Sequence, residues 1–289
     1  MNDTIFREYD IRGLVPSEID EKTVKKIALG FGTLLRQKQL QKITVGCDVR
    51  LSSPQIHSWF IESVLSTGID VIDLGTIASP VAYFSAFHLK VDGFCMITAS
   101  HNPKEYNGFK LGIGKSTLFG DEIRTLKQLI QAEVFSKGKG NLEKYNINPA
   151  YISDVTSRYL LQRRIRVGID PANATACLYA KEMLEKIGAD VLVINNTIDG
   201  SFPSHHPDPT VAENMKQLSK LVQDEKLDLG IGFDGDSDRI GVVNSLGELI
   251  PGDLLTLIFA EEILKRRPGE KIIFEVKSSL ALEEIPLAP

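Results

Sequence analysis

Segments with strand-like and helix-like patterns alternate along most of this chain of 289 residues, and that order constrains the fold more than any other feature. The β-rich run Ile43–Cys47 precedes a predicted helix over Pro54–Thr67, which has proline in its first turn, and a predicted strand at Asp70–Leu74. A second predicted helix at Pro80–Leu89 leads to a strand at Gly93–Thr98. This βαβαβ order predicts an α/β fold with a mainly parallel sheet covered by helices on both faces.

The pattern changes after Thr98. Phe109, Leu111 and Ile113 alternate with small or polar residues, which predicts a half-buried strand. The intervening ASHNPKEYNG is rich in turn-forming residues, so we expect a loop that joins two neighbouring strands.

A second unit of the same kind begins near Pro149. Its predicted strands and helices alternate as in the first unit: strands at Arg166–Ile169, Val191–Ile194, Leu229–Phe233 and Ile240–Asn244, and helices at Thr175–Ile187 and Val211–Glu225. From Gly252 a helix and a strand at Ile272–Val276 predict the opening of a third unit.

These patterns divide the chain into three predicted domains, 1–148, 149–251 and 252–289, with the polar linker SKGKGN at 136–141 near the first boundary. We expect consecutive mixed, mainly parallel-sheet βα domains, the third of which is only begun because no closing sheet follows it. An unfinished third domain predicts exposed apolar surface around residues 254–276.

Composition and charge exclude several classes of protein. Lys and Arg total 33 against 38 Asp and Glu, a net charge of −5, which gives no general reason to expect nucleic acid or a membrane as partner. The N-terminus has no apolar signal core, and no apolar run approaches the ~18 residues of a membrane helix. We therefore expect a cytoplasmic protein. Cys47, Cys95 and Cys177 form no CxxC pair, and the first two are predicted to be buried, reduced thiols.

Ser100 lies just past a predicted strand, in the segment TASHNP. Open α/β sheets bind their ligands at the carboxyl ends of strands, so a hydroxyl group at this position could accept a phosphoryl group. The alternative is an ordinary turn rich in Ser and Asn. A Ser/His/Asp hydrolase is less favoured because no G-x-S-x-G segment surrounds the serine.

Three aspartates, Asp234, Asp236 and Asp238, follow the apolar strand LDLGIGF at alternate positions. Gly235 permits a tight turn, so that the three carboxylates can converge on one hard cation such as Mg²⁺. An EF-hand is excluded, because its sixth and twelfth positions would hold Arg239 and a serine instead of Gly and Glu. A solvated acidic turn and an aspartyl phosphatase are the remaining alternatives, and the phosphatase explains neither the serine nor the basic residues.

Two basic residues are candidates for binding an anion. Arg12 precedes Gly13 and could present a bidentate guanidinium to phosphate, although a surface arginine paired with Asp10 is the alternative. Lys110 opens the predicted strand after the serine loop, with its side chain on the face opposite Phe109. A solvent-exposed lysine is the alternative there. The segment FPSHHPDP, from Phe202, contains two histidines, and a rigid proline-framed loop is favoured over a metal site.

FREYDIRG, TASHNP, NGFK, FPSHHPDPT and GFDGDSDR occur in this order in the chain. The ordered set resembles the α-D-phosphohexomutase family, from residue 6 to about residue 284. The YDIRG start and the TASHNP loop are similar to the bacterial phosphomannomutase/phosphoglucomutase branch of that family. The resemblance implies a phosphohexomutase, an isomerase-class intramolecular phosphotransferase that interconverts hexose 6-phosphate and hexose 1-phosphate through a phosphoserine and a 1,6-bisphosphate.

The resemblance also implies roles for the residues of the two loops. Ser100 would carry the phosphoryl group, in a first domain with a phosphoserine loop. Asp234, Asp236 and Asp238, in a second domain with a Mg²⁺-binding loop, would hold the metal together with an oxygen of the phosphorylated Ser100. Arg239 would sit beside that phosphate.

By the same resemblance, Lys110 and His101 would be the acid/base candidates for the sugar hydroxyl group, and Tyr9 and Arg12 would line the cleft. Mg²⁺ would be the cofactor, a hexose phosphate the substrate, and glucose 1,6-bisphosphate or mannose 1,6-bisphosphate the activator. Enzymes of this family have four domains. Neither the sugar-recognition loop of the third, of GEMSGH type, nor the phosphate loop of the fourth is found in this sequence.

Two functional hypotheses follow. The chain is a phosphohexomutase that works as part of a longer protein, or with a complementing C-terminal fragment if the gene is split. The alternative is a catalytically weak or inactive remnant that binds Mg²⁺ or a phosphosugar. The presence of the serine and of all three aspartates favours the first hypothesis, a catalytic function.

Overall fold

The computed structural model describes residues 2–276, 278, 279 and 282, and within them two β-sheets are each covered by helices. The first sheet consists of β1 (Ile11–Leu14), β2 (Lys42–Cys47), β3 (Asp70–Thr76), β4 (Gly93–Ile97), β5 (Tyr106–Ile113), β6 (Ser116–Thr117) and β7 (Leu142–Lys144). The second consists of β8 (Arg166–Asp170), β9 (Asp190–Val193), β10 (Leu229–Phe233), β11 (Ile240–Asn244) and β12 (Leu249–Ile250).

Strands of the first sheet are ordered β1-β5-β4-β2-β3-β7, with β6 added to β5. The strands β4, β2, β3 and β7 pair in parallel, whereas β5 is antiparallel to β1, β4 and β6, so β5 is the strand that runs against the others. The second sheet, β12-β11-β10-β8-β9, likewise has one opposed strand, β11. The predicted fold class, mixed and mainly parallel α/β, is confirmed.

Helices cover both faces of each sheet. They are α1 (Glu21–Gln37), α2 (Ser53–Leu65), α3 (Ser79–His88), α4 (Asp121–Ala132), α5 (Asn148–Thr156), α6 (Ala180–Lys186), α7 (Lys216–Glu225) and α8 (Gly252–Arg266). Short 3-10 turns occur at Asp3–Ile5, Thr175–Leu178 and Ala212–Met215. On the first sheet α1, α2 and α4 share one core and α3 and α5 the other, while α6 and α7 pack on opposite faces of the second.

Local sequence explains where these helices begin and which face they bury. Asp20 caps α1 by accepting a hydrogen bond from the Thr23 amide, and Val24, Ile27 and Phe31 follow at helical spacing and are fully buried. Proline occupies the first turn of α2, α3 and α5, where its missing N–H is not needed. The helix predicted over 175–187 is divided into a 3-10 turn and α6.

The predicted strand Ile272–Val276 is wrong. The structure assigns no strand there, and the side chains of Ile273 and Val276 are both 92% exposed. Among the described residues no neighbouring strand takes up its backbone hydrogen bonds, and a strand without a partner is not stable in water. The exposed apolar surface expected in this region is present, and it includes Leu254, Ile258 and Phe259 on α8.

Two smaller expectations concern burial and membranes. Cys47 and Cys95 are buried free thiols, as predicted. Within the part of the chain that the structure describes, no helix combines the length and the apolar character that crossing a membrane requires.

Candidate active site

Ser100 follows the carboxyl end of β4 and is 1% exposed. Its amide donates a hydrogen bond to Thr98 Oγ1 (2.9 Å), and the Asn102 amide donates to the Ala99 carbonyl (2.9 Å), so the chain turns sharply at the serine. The φ angle of Ser100 is +51°, a left-handed conformation that costs a non-glycine residue about 1 kcal/mol. This strained turn places the hydroxyl group at the edge where the parallel strands end.

The aspartate loop connects β10 to β11 and is folded around its first residue. Asp234 Oδ1 accepts hydrogen bonds from the amides of Asp238 (3.0 Å) and Arg239 (3.1 Å), and the Asp234 carbonyl accepts one from Ser237. Asp234 and Asp236 are 0% exposed. The turn therefore holds the carboxylates of Asp234 and Asp236 away from solvent.

The two loops meet directly, although they are 134 residues apart. Ser100 Oγ donates a hydrogen bond of 2.6 Å to Asp234 Oδ2. Gly235 permits the approach, because a Cβ there would lie 2.5 Å from the Ser100 carbonyl oxygen. The predicted serine and aspartates thus form one cluster, at the edges where β4 of the first sheet and β10 of the second sheet end.

Lys110, on β5, reaches the same cluster. Its Nζ lies 2.6 Å from Asp236 Oδ2 and 2.6 Å from Asp238 Oδ2, and it donates to Ser79 Oγ at 3.2 Å. The Ser79 hydroxyl in turn donates to Asp236 Oδ2. β5 begins at Tyr106, inside the segment that was predicted as a loop, and the lysine is 8% exposed rather than solvated.

The electrostatics of this cluster are strongly coupled. Burial, and then repulsion from Asp236 and Asp238, raises the pKa of Asp234 to about 8. Burial alone would also raise the pKa of Asp236, but the charge and hydrogen bond of Lys110 lower it to about 2. Burial opposes the charge of Lys110, but the two carboxylates outweigh it and raise the pKa of the ammonium group. Lys110 is therefore a cation at neutral pH.

The donor set fits a hard divalent cation. Asp234, Asp236 and Asp238 each offer a carboxylate oxygen, and these oxygens lie within 4.8 Å of one another. Oδ1 of Asp236 is buried and has no hydrogen-bond partner among the described residues, which is costly for a carboxylate unless a cation or water satisfies it. An all-oxygen set of this kind is suited to Mg²⁺.

Arg12 lies against the serine loop and is paired with Asp10, as one of the two interpretations of the sequence predicted, but its side chain is only 11% exposed and does not lie on the surface. Its Nε and Nη2 each lie 2.7 Å from Asp10 Oδ2. Nη1 donates to Asn102 Oδ1 (2.6 Å) and to the Ala99 carbonyl (3.3 Å). Pairing of β1 with β5 brings this arginine to a loop about 90 residues away in sequence.

His101, Tyr9 and Arg239 are less enclosed. His101 Nδ1 lies 3.2 Å from Ser100 Oγ, and burial together with the nearby Arg239 charge lowers the pKa of the imidazole. The side chain of Arg239 is 43% exposed, with Nε 4.0 Å from Asp238 Oδ1. Tyr9 is 69% exposed, just before β1.

His205, in the segment FPSHHPDP, pairs with the first strand of the second sheet. Its Nε2 lies 2.9 Å from Oδ2 of the buried Asp170, and its Nδ1 lies 3.0 Å from the His206 carbonyl. Burial acts against the imidazolium, but these two hydrogen bonds outweigh it and raise the pKa of His205. This pair holds the proline-rich loop against the carboxyl end of β8.

Three more residues belong to this region, and the sequence patterns described above had not singled them out: Asp48, Arg50 and Ser79. Arg50 is 0% exposed and binds the backbone of the serine loop, and Ser79 binds both Asp236 and Lys110. The sequence did contain a signal for these residues. Asp48 directly follows β2 and Ser79 follows β3 closely, so both lie at the same edge of the sheet as Ser100. Treating every polar residue just past a parallel strand as a candidate would have found them.

Comparison with known proteins gives matches along nearly the whole chain. Residues 3–137 match the family described as "Phosphoglucomutase/phosphomannomutase, alpha/beta/alpha domain I", and residues 149–247 match domain II of the same family. A phosphomannomutase/phosphoglucomutase of Pseudomonas syringae pv. tomato is 37% identical over 280 residues, which cover 97% of this chain and 60% of that protein. A phosphoglucomutase of Neisseria meningitidis serogroup B is 34% identical and covers 96% of this chain.

Solved structures give the same result. A phosphoglucomutase/phosphomannomutase family protein from Burkholderia thailandensis superimposes with a TM-score of 0.95 at 33% identity, over 99% of this chain and 64% of that one. A protein from Thermus thermophilus, at 21% identity and a TM-score of 0.89, shares the fold. The chain spans about 60% of the length of the curated relatives that it matches.

Proposed function

The chain belongs to the phosphoglucomutase/phosphomannomutase family, and on that premise we propose that it performs the phosphoryl-transfer chemistry of a phosphohexomutase, with Ser100 as the phosphoryl carrier. The observation that carries the proposal is the contact between Ser100 Oγ and Asp234 Oδ2, 2.6 Å long, inside a cluster of three carboxylates and one lysine. An ordinary serine-rich turn would have no reason to bury its hydroxyl group against a convergent acidic loop.

The proposed reaction interconverts hexose 6-phosphate and hexose 1-phosphate. The phosphorylated Ser100 gives its phosphoryl group to the free sugar hydroxyl of a hexose monophosphate as the bond from phosphorus to Ser100 Oγ breaks, and a hexose 1,6-bisphosphate forms. Ser100 Oγ then bonds to the phosphorus at the other sugar position as the bond from that phosphorus to the sugar oxygen breaks, which releases the isomeric monophosphate. The hydrogen bond from Ser100 Oγ to Asp234 Oδ2 places the phosphoryl-carrying atom against the proposed metal ligands. In-line transfer of this kind depends chiefly on positioning and on neutralising charge.

Two other residues are proposed to serve the sugar oxygen. The carboxylates keep Lys110 cationic, so among the acid/base candidates it suits hydrogen bonding to the sugar oxygen and charge stabilisation rather than proton abstraction. Burial lowers the pKa of His101, so its imidazole is neutral at pH 7 and suits proton acceptance beside the serine. Arg239 and Tyr9 are proposed to contact the ligand from the more exposed side of the cleft, and Arg12 from its edge.

Mg²⁺ is the proposed cofactor. Asp234, Asp236 and Asp238, with an oxygen of the phosphorylated Ser100, would hold it. When bound, the cation would neutralise charge on the phosphoryl oxygens. Glucose 1,6-bisphosphate or mannose 1,6-bisphosphate is the proposed activator. The division into units 1–148, 149–251 and 252–289 is part of the proposal, supported by the two separate sheets and by the two matched family domains.

Phosphorylation of Ser100 is the direct test. Incubation with glucose 1,6-bisphosphate and Mg²⁺ should add one phosphoryl group to the chain, detected by intact mass, and peptide mapping should place it at Ser100. The Ser100→Ala variant and removal of Mg²⁺ with EDTA should each abolish the addition, whereas Ser116→Ala, at an exposed serine on β6, should not. Labelling that survives in Ser100→Ala would overturn the assignment. Mg²⁺ binding without any labelling would support the alternative, a chain that only binds.

A further inference from the structure

Arg50, just past the end of β2, is the most completely buried cationic side chain among the described residues, at 0% exposure. An arginine is rarely buried unless all its donors are satisfied. Here Nε lies 3.2 Å from Asp48 Oδ2, and the four remaining N–H groups donate to backbone carbonyls. The guanidinium group therefore has no donor left for a ligand.

The carbonyls that it binds belong to one segment, the loop that carries Ser100. Nη2 donates to the carbonyls of Ser100 and Asn102, both at 2.7 Å, and Nη1 donates to those of Pro103 (2.7 Å) and Tyr106 (3.1 Å). We propose that Arg50 is the positioning residue of the phosphoryl-carrying loop, and that its guanidinium group sets the orientation of the Ser100 peptide. The proposal rests on the proposed function of Ser100.

A buried carboxylate holds the arginine itself. Asp48 accepts hydrogen bonds from Ser53 Oγ, from Thr98 Oγ1 (2.8 Å) and from the Arg50 amide (3.0 Å), besides its contact with the guanidinium group. Thr98 Oγ1 in turn accepts the hydrogen bond from the Ser100 amide. The serine is thus connected to one buried ion pair on both sides, through its N–H by way of Thr98 and through its C=O by way of Arg50.

The second unit covers the arginine. The Phe202 ring lies with its centroid 5.5 Å from the guanidinium carbon of Arg50, and Gly200 allows the backbones to touch, because a Cβ there would lie 2.1 Å from the Val49 carbonyl oxygen. The segment that supplies these contacts also contains His205, so one loop of the second unit seals the network from solvent. A charge-assisted network that is sealed in this way is rigid.

This fixation matters because the serine has little tolerance for displacement. Its carbonyl oxygen accepts a hydrogen bond from Arg50 Nη2 and lies so near Gly235 that a Cβ there would be 2.5 Å away, and its backbone is left-handed. With the carbonyl released, the peptide can rotate towards a commoner conformation, which would swing Oγ away from Asp234. Small misplacements of a reacting atom cost about a hundredfold in rate.

Arg50→Lys is the informative variant, because it keeps the charge next to Asp48 but cannot make the fork of four carbonyl contacts. Two readouts are compared with those of wild type: the single-turnover rate of Ser100 phosphorylation by glucose 1,6-bisphosphate, and amide hydrogen exchange of residues 98–106. We expect the rate to fall by at least about tenfold and exchange in this segment to accelerate by a similar factor. Phe202→Leu, which leaves no buried charge unpaired, should shift both readouts in the same direction by less.

Val24→Ala is the control, because it removes a buried side chain of α1 and lowers stability without touching the loop. It should leave phosphorylation and the exchange of residues 98–106 within about twofold of wild type once the protein is folded. Unchanged exchange in Arg50→Lys would overturn the proposal, as would unchanged phosphorylation or a rate loss in Val24→Ala equal to that in Arg50→Lys. A wild-type chain that takes up no phosphate while its loop still depends on Arg50 would reject the proposed function and retain the positioning role.

Discussion

The floor of the candidate site, formed by Ser100, Lys110, Asp234 and Asp236, differs sharply from its rim, formed by Tyr9, His101 and Arg239. Floor residues are at most 8% exposed and bind one another, whereas on the rim Tyr9 is 69% and Arg239 43% exposed. The floor is therefore arranged before any ligand arrives, which is the requirement for electrostatic catalysis. Tyr9 and Arg239 are in contact with solvent, so a ligand can change the geometry of the rim.

The largest expected effect comes from Asp236→Asn on the floor. The change removes one carboxylate of the proposed metal set and one of the two anionic partners of Lys110. Breaking a buried charge pair costs about 3–5 kcal/mol, so Mg²⁺ affinity and the Ser100 phosphorylation rate should fall on the order of 10²–10³-fold. Calorimetric titration and single-turnover labelling measure the two quantities.

Asp190→Asn, at a half-exposed ion pair, is the control and should change neither. Wild-type Mg²⁺ affinity in Asp236→Asn would contradict the assignment of the metal set.

Lys110→Met tests whether the floor is held together by charge. Without the ammonium group Asp236 and Asp238 face each other unneutralised, so we expect the free energy of unfolding in EDTA to fall by about 3 kcal/mol. Mg²⁺ should restore more stability to the variant than it adds to wild type, because the cation replaces the missing charge. Urea unfolding with and without Mg²⁺ measures this. Lys115→Met, over the Phe87 ring, should change stability by no more than about 0.5 kcal/mol. Equal stability of Lys110→Met and wild type in EDTA would show that the lysine is dispensable to the floor.

Arg12→Lys probes the boundary between floor and rim. Lysine keeps the charge but cannot contact Asp10 and Asn102 together in the planar geometry of arginine. We expect the phosphorylation rate of Ser100 to fall roughly tenfold, equivalent to ~1.4 kcal/mol. Tyr9→Phe, which removes one exposed hydroxyl group, should change that rate by less than about threefold. A larger loss of phosphorylation rate in Tyr9→Phe than in Arg12→Lys would contradict this division of the site into floor and rim.

The smallest effect concerns pH and the second unit. Burial opposes the imidazolium of His205, but the hydrogen bonds that its ring makes to Asp170 and to the His206 carbonyl outweigh burial and raise the pKa of His205 in the folded state. The imidazolium therefore contributes stability that is fully present below the unfolded pKa of about 6.5 and is lost as pH rises through the folded value. The difference in free energy of unfolding between wild type and His205→Gln should shrink from pH 5.5 to pH 8.5, measured by urea unfolding. A difference that grows with pH would mean that the pair is held by a neutral imidazole.

Sequence patterns predicted the strands that end at the site but not the contacts between loops. The alternation of apolar runs located β2, β3, β4, β8 and β10, and with them the serine loop and the aspartate loop. Strand register is not encoded locally, so the pairing of Arg12 with Gly108, which brings the arginine to Asn102, could not be derived. The prediction of a strand at 272–276 was wrong for a related reason, because an apolar run forms a strand only where another strand pairs with it.

Arg50 shows why part of the site could not be predicted. An arginine in a polar segment is expected at the surface, and its burial depends on four carbonyls contributed by a loop some 50 residues further along the chain. The rule that ligands bind at the carboxyl ends of strands would have pointed to the position of Arg50 but not to its burial. By contrast, the alternation of Phe109 and Leu111 did predict the face on which Lys110 lies, because strand periodicity is a local property.

The distance in sequence between Ser100 and Asp234 has a consequence for how the protein becomes competent during its synthesis. The serine leaves the ribosome 134 residues before the carboxylate that it binds, and Arg50 still longer before Phe202. At roughly 5–20 residues per second, the gap before the aspartate loop emerges is on the order of ten seconds. During that interval the nascent first unit displays its serine turn without acidic partners. The proposed acceptor, the Ser100 hydroxyl group, gains its acidic partner only when the second unit docks, so uptake of phosphate by a newly made chain would report that both units have been synthesised and have docked.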